Sequence, residues 1–303
     1  MAPFEKYYPE SQTAAPGIAA VKEGLTKKVF EESDGAVVYR GERDGLHTRV
    51  FLTSNGLATY ETKDLGVAMQ KWEDYQFDRS LVVTANDITE YMKVVMAALS
   101  HFHPQIAERS THLTHGMIRL AGGAKMSSRK GNILRAVDVL EAATTANQEL
   151  SGKPQPEVVL AAIKYAFLKQ RLGGDIVYDP DESVSLTGSS GPYLQYAHAR
   201  ARSILAKSKT KLQRSHDLQP DERRLLRQLA DYNRVVAEAV TELAPHRICT
   251  YLYELSQVFN RFYENNTVVG DEREAARLAL VQEYADTLKR GLSVLGIAAP
   301  DRI

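Results

Sequence analysis

Along the first half of the chain, short β-branched apolar runs alternate with stretches of helical period. Ala36-Val37-Val38-Tyr39-Arg40, Thr48-Arg49-Val50-Phe51-Leu52 and Leu57-Ala58-Thr59-Tyr60 predict three short strands, the last following the turn Ser54-Asn55-Gly56. The first 30 residues are irregular and then helical around Gly17-Ile18-Ala19-Ala20-Val21, and a further helix is predicted over about 64–75. Ser80-Leu81-Val82-Val83-Thr84 has the unbroken apolar character of a buried strand. A helix over 88–102 and a strand over 111–118 come next. Strands alternating with helices predict a parallel α/β sheet. After Pro156 the period changes, and helices are predicted over 157–171, 192–209, 221–244, 247–265 and 271–295. The Gly-, Pro- and Ser-containing stretch 175–191 reads as a loop. Pro192, Pro220-Asp221-Glu222 and Gly270-Asp271-Glu272 have the character of helix starts, and Gly296 that of a stop. The pattern therefore predicts an α/β domain over 1–186 and an all-α domain over 187–303.

Composition narrows the class. The chain has 303 residues, 44% hydrophobic and 25% charged, which suits two ordinary globular domains. No apolar run approaches the ~20 residues of a membrane helix, and Met1-Ala2-Pro3-Phe4-Glu5-Lys6 lacks the apolar stretch of a signal peptide. A single cysteine, Cys249, excludes an intrachain disulfide and a cysteine metal cluster. The cytoplasm is the expected compartment. Net charge is zero, so attraction to nucleic acid requires a local basic patch.

Three segments carry candidate chemistry. Lys125-Met126-Ser127-Ser128-Arg129-Lys130-Gly131 follows Ala121-Gly122-Gly123-Ala124 and precedes a helix expected near Arg135. Its cations, hydroxyls and backbone N–H groups suit it to closing over a polyphosphate, and the glycines let it swing. The alternative is a solvated basic loop. Tyr60-Glu61-Thr62-Lys63-Asp64-Leu65-Gly66 lies where a strand is expected to end and a helix to begin, the edge of an α/β sheet at which ligands bind. With Thr62 as the expected N-cap, Tyr60 and Asp64 converge on one pocket, and a carboxylate there suits a guanidinium. The alternative for Asp64 is stabilising its helix N-terminus. Asp87 sits at the same edge, with capping of the following helix as its alternative. His101-Phe102-His103 and His112-x-x-His115 read as surface or packing histidines rather than metal ligands, since no acid or cysteine has ligand-like spacing. His115 is a special case, on the strand that feeds the Lys125 loop, where it and the Met117 backbone can line a nucleotide edge. In the third segment, Pro192-Tyr193-Leu194-Gln195-Tyr196-Ala197-His198-Ala199-Arg200-Ala201-Arg202, aromatic faces can stack on bases and Gln195 can bond a base edge. Arg200, Lys207, Lys211 and Arg214 share one helix face if the helix persists that far, a phosphate-binding stripe. Its alternative is an apolar helix with a basic flank and tyrosines in the core.

The Lys125 loop resembles the Lys-Met-Ser-Lys-Ser signature of class I aminoacyl-tRNA synthetases, with Ser128 and Arg129 at the signature's second Lys and last Ser, and Lys130 just beyond. The longer run from His115-Gly116-Met117-Ile118-Arg119-Leu120 to Asn132 resembles the arginyl-tRNA synthetases, as do the Tyr60–Asp64 segment, the Pro192–Arg202 block, Phe259–Asn265 and the last helix with its Gly291–Ile297 tail. The resemblance covers nearly all of the chain. It implies part of the class I nucleotide-binding parallel sheet followed by a helical-bundle anticodon-binding domain. It further implies ATP-dependent formation of arginyl-adenylate and transfer to tRNA-Arg, with Mg²⁺ accompanying ATP. Lys125 and Lys130 are then the catalytic cations, and His115, Met117, Lys125, Met126, Ser127 and Ser128 the ATP contacts. Tyr60, Asp64 and Asp87 are the arginine contacts, and Tyr193, Gln195, Tyr196, Arg200, Lys207 and Lys211 the tRNA contacts. No His-Ile-Gly-His motif occurs in the sequence. The chain thus resembles the C-terminal half of such an enzyme, expected to be nearly inactive alone and to self-associate through an incomplete sheet. The rival expectation is a non-catalytic tRNA-binding module or one partner of a split synthetase.

Overall fold

A computed structural model describes residues 4–121 and 135–303. They form two compact units, one ending at Met117 and one beginning at Ile118.

In the first unit, helix α1 (Glu10–Thr26) precedes an antiparallel meander of β1 (Glu31–Ser33), β2 (Ala36–Tyr39) and β3 (Arg49–Leu52), with a register shift between Val37 and Val38. Helix α2 (Tyr60–Tyr75) leads into β4 (Ser80–Ala85). Helices α3 (Thr89–Phe102) and α4 (Pro104–Glu108) then return the chain to β5 (Ser110–His115). β5 lies parallel to β4, Ser80 opposite Ser110 and Ala85 opposite His115. The parallel pairing expected from the alternation is present, but the first three strands form a separate antiparallel sheet.

No strand forms over 57–60. Ala58 makes only a bridge to Leu52, and the Thr59 hydroxyl donates to the Val50 and Phe51 carbonyls at 3.0 Å each. With Thr59 held extended, α2 begins at Tyr60 rather than near Asp64. Thr62 is consequently not the N-cap. It lies buried in the first turn, its hydroxyl donating to the Phe51 carbonyl. β4 is not the fully buried strand its composition suggested, for Leu81 is 41% and Val83 60% exposed.

Helices α1 and α2 meet backbone to backbone. A Cβ on Gly17 would stand 2.0 Å from the Thr62 carbonyl oxygen, and one on Gly66 2.1 Å from that of Thr13. Gly66→Ala is therefore expected to push α2 off α1 and destabilise this unit by about 1–3 kcal/mol, read as a lower urea midpoint. An unchanged midpoint would mean that the helices separate at no cost. Beneath them the rings of Phe30 and Phe51 pack at 4.7 Å, and Phe102 closes on Phe30 at 5.9 Å.

In the second unit, β6 (Ile118–Leu120) runs parallel to β7 (Ile176–Tyr178), and α5 (Ala136–Ser151) and α6 (Pro156–Leu168) intervene. After α7 (Pro180–Val184) the chain is helical: α8 (Gly191–Ala206), α9 (Pro220–Ala230), α10 (Tyr232–Glu242), α11 (His246–Asn265) and α12 (Glu274–Val294). The strand expected over 111–118 stops at His115, and Ile118 opens a different sheet. The expected loop 175–191 contains β7 and α7. The helix expected over 221–244 is two helices meeting at Asp231, where the Gln228 carbonyl accepts both the Asp231 N–H at 3.3 Å and the Tyr251 hydroxyl at 2.9 Å.

A buried apolar cluster drawn from α8, α9, α11 and α12 holds the helical half together, and two features stand within or beside it. The rings of Phe259 and Tyr284 stack at 3.8 Å, with the Tyr284 hydroxyl donating to Ser256 Oγ. Near the start of α9, the fully buried Glu222 carboxylate accepts from Arg273 at 2.7 and 3.0 Å, from Arg277 at 3.0 Å and from the Gln219 N–H at 2.9 Å. Burial alone would raise its pKa, but those charged donors outweigh burial and hold it at about 2. The segment 296–303 is fastened back onto the bundle. Gln195 Nε2 donates to the Ala298 carbonyl, His198 Nδ1 to that of Pro300, each at 2.9 Å, and the Lys164 ammonium to that of Gly296.

Candidate functional site

The first unit gathers two carboxylates, four aromatic or imidazole groups and a guanidinium around the start of α2. Starting the helix at Tyr60 puts Tyr60 and Asp64 four residues apart on one helical face. Tyr60 is 69% exposed, with Lys63 Nζ 5.1 Å from its ring centroid. Asp64 is half-buried and accepts a hydrogen bond from the hydroxyl of Tyr91 on α3. Burial pushes the Asp64 carboxyl above the usual carboxylate range, the Tyr91 hydroxyl opposes this, Glu61 adds to it and His112 opposes it. Burial together with the neighbouring Asp64 pushes the Tyr91 phenol well up, so it stays a donor.

Around this pair, Arg49 Nη1 bonds the buried Glu61 carboxylate at 2.8 Å, Arg49 Nε lies 2.7 Å from His47 Nε2, and the Arg49 guanidinium sits 5.3 Å from the Tyr91 ring centroid. His112 Nε2 lies 2.8 Å from Thr84 Oγ1, and burial lowers the pKa of its ring. The arrangement can accept a cation with fork-like donors on Asp64 while Glu61 is already neutralised. Sequence reasoning missed Tyr91, Glu61 and Arg49. Their only signal was a tyrosine in the first turn of a helix after a strand, at the sheet edge already singled out.

Asp87 is exposed in a 3-10 turn, Asn86–Ile88, and Ile88 holds the N-cap position of α3. Capping by Asp87 is therefore not what the structure shows. His115 ends β5, exposed, with Nδ1 donating to the Gly116 carbonyl at 2.9 Å, and Met117 is 46% exposed beside it. Lys125, Met126, Ser127, Ser128 and Lys130 lie outside the described residues. The other two histidines singled out in the sequence pair with carboxylates: His101 Nε2 is 3.1 Å from Asp44 and His103 Nε2 is 3.1 Å from Glu23.

In the second unit, α8 presents an exposed Tyr196 and places the Arg200 guanidinium 5.7 Å from its ring centroid and 5.8 Å from that of Tyr263 on α11. Tyr193 is half-buried, its hydroxyl accepting from Asn260 Nδ2 at 2.8 Å and its ring edge-on to Tyr253. Lys207 and Tyr263 line a groove of about 420 Å³ at the C-terminal ends of α8 and α11. Two expectations need correction. Gln195 is fully buried with its amide spent on Ala298, so it cannot face a base in this conformation. The helix ends at Ala206, so Lys211 and Arg214 stand on an irregular segment and do not extend the Arg200 face.

Residues 10–178 match the family model of the class I (R) tRNA synthetase catalytic domain, and residues 194–303 that of the DALR anticodon binding domain. The arginine–tRNA ligase of Flavobacterium psychrophilum is 34% identical over 321 residues, an alignment covering 99% of this chain and 53% of that protein. That of Bacteroides fragilis is 31% identical, covering 99% and 54%. Among solved structures, the Thermus thermophilus arginyl-tRNA synthetase aligns with a TM-score of 0.80 at 28% identity, covering 94% of this chain and 58% of that one. A Campylobacter jejuni structure described as a putative arginyl-tRNA synthetase aligns at 0.82 and 23% identity, covering 100% and 65%, a likeness of fold alone. The chain spans about half the length of the curated relatives it matches.

Proposed function

Since the chain belongs to the class I arginyl-tRNA synthetases, we propose that it supplies the arginine pocket, part of the ATP site and the tRNA-holding domain of an arginine–tRNA ligase. In the proposed reaction the arginine carboxylate attacks the α-phosphate of ATP and releases pyrophosphate. A terminal ribose hydroxyl of tRNA-Arg then takes the arginyl group and releases AMP. Asp64 pairs with the substrate guanidinium and Tyr60 covers it, Asp87 being the further contact at that edge. His115 and Met117 border the nucleotide, and Lys125 and Lys130 neutralise charge developing on the phosphates while Ser127 and Ser128 orient them. Mg²⁺ arrives with ATP as part of that substrate.

Tyr193, Tyr196, Arg200 and Lys207 form the tRNA face. The domain boundary is proposed near residue 186, between the two family matches. With no His-Ile-Gly-His motif in its sequence, the chain alone is expected to turn over little. The exposed Leu81 and Val83 offer the surface for self-association. Among the described residues no helix is long and apolar enough to cross a membrane, and the cytoplasm is the proposed compartment.

The observation that carries the proposal is the Tyr196–Arg200–Tyr263 row, a cation between two ring faces in the segment that matches an anticodon-binding domain. Such a row stacks bases and meets phosphates. Labelled tRNA-Arg and a non-cognate tRNA titrated into the chain at two salt concentrations test it. The expected result is preferential, salt-weakened binding of tRNA-Arg, with Tyr196→Ala losing about 1–3 kcal/mol of it. Equal or absent binding would sink the proposal. The second reading, a tRNA-holding module without catalysis, rests on the same row, and arginine binding at Asp64 separates the two.

A further inference from the structure

Two carboxylates on α2, Glu61 and Asp64, stand three residues apart, and each is engaged by a different group. Glu61 is buried and held by Arg49. Asp64 gives Oδ2 to the Tyr91 hydroxyl, while its Oδ1 has no hydrogen-bond partner among the described residues. The ring of Tyr91 is in turn faced by the Arg49 guanidinium at 5.3 Å. One aromatic side chain thus links the neutralised carboxylate to the open one.

Taking Asp64 as the arginine contact proposed above, we infer that Tyr91 is a positioning residue that decides which carboxylate receives an incoming guanidinium. It fixes Asp64 by one oxygen and leaves the other open, and through Arg49 the same ring backs the ion pair that keeps Glu61 from competing. Tyr91 acts through Asp64 and does not itself touch the ligand. The charged and titratable groups facing Asp64 are Glu61 from α2, Tyr91 from α3 and His112 from β5, with Arg49 of β3 behind Tyr91. A hydroxyl donor favours the ionised carboxylate. Without it, Asp64 holds its proton to higher pH and a guanidinium loses its partner over a wider acid range.

The test compares the chain with Tyr91→Phe, using L-arginine as the probe in calorimetry across pH and carbon NMR of the Asp64 carboxyl. Tyr91→Phe removes one oxygen, and its circular dichroism and thermal midpoint check that the unit still folds. The Asp64 titration is expected to move to higher pH, arginine affinity to fall about tenfold, and the deficit to widen toward acid pH. Unaltered Asp64 titration, or a deficit that does not vary with pH, overturns the inference. If the unaltered chain binds no arginine while Tyr91→Phe still moves the Asp64 titration, the arginine reading of the site fails and the hydrogen bond is structural only.

Discussion

Replacing Glu222 with alanine is expected to cost the helical unit about 3 kcal/mol, the largest stability loss foreseen for a single side chain here. Truncation leaves Arg277, which is 7% exposed, and Arg273 facing a void with no carboxylate, and frees the Gln219 N–H that Glu222 accepted from at the head of α9. Broken buried pairs typically cost ~3–5 kcal/mol. The lower end applies because the Arg273 side chain keeps 18% of its surface in water and Arg277 retains Asp271 at 3.1 Å and the Thr267 carbonyl at 2.6 Å. The pH dependence follows from the depressed carboxyl. Folded Glu222 titrates at about 2 against an ordinary 4.5, so its contribution is complete above pH 4.5 and is lost as pH falls from there toward 2. Urea unfolding across that range should show a steep acid limb in the unaltered chain and a shallower one in Glu222→Gln, which keeps the shape without the charge. Identical acid limbs would show that the ion network does not couple to folding.

Asp64→Asn should have the opposite balance of effects. A guanidinium meeting a neutral amide loses a charge-assisted pair worth about 2–5 kcal/mol in partly desolvated sites, so arginine affinity should fall at least about 30-fold. Stability should not fall with it. Burial holds the folded Asp64 carboxyl above its ordinary 3.8, which means the folded state binds that proton more tightly than the unfolded state. The contribution of this group is therefore fully present below pH 3.8 and is lost as pH rises through the raised folded value. At neutral pH the ionised side chain is a burden on the fold, and Asn, which can still accept from Tyr91, should leave the thermal midpoint equal or higher. Retained arginine affinity would sink the pocket assignment. A lower midpoint with lost affinity would show that Asp64 serves the fold first.

What the sequence revealed and what it hid divide along the range of the interactions concerned. The spacing of Tyr60 and Asp64 is local, and any helix starting at or before Tyr60 would put them on one face. The parallel β4–β5 pair was legible from an apolar run and a later strand-like stretch with a helix between them. The start of α2 was hidden because it depends on Thr59 bonding back to β3, and Tyr91 was hidden because its partner is 27 residues away on another helix. Gln195 misled for the same reason. A glutamine among small residues and tyrosines looks ready for a base edge, but its acceptor is a carbonyl at Ala298. Glu222 was legible only as a helix-start acid, because its arginines come from the N-cap and first turn of α12, some fifty residues on. Lys211 and Arg214 kept the right spacing on a helix that ends at Ala206.

The tie between α8 and the 296–303 segment also sets a timetable. The ribosome makes Gln195 and His198 about a hundred residues before it makes the carbonyls they bond. Until Ala298 and Pro300 emerge, the inner face of α8 carries His198 without its acceptor and Gln195 with only the longer bond to the Glu157 carbonyl at 3.5 Å, on the helix whose outer face shows Tyr196 and Arg200. Helix α8 therefore reaches its final set of hydrogen bonds only once residue 300 has been made. A ribosome paused within α12 would hold a nascent bundle in which α8 is still unfastened at these two points.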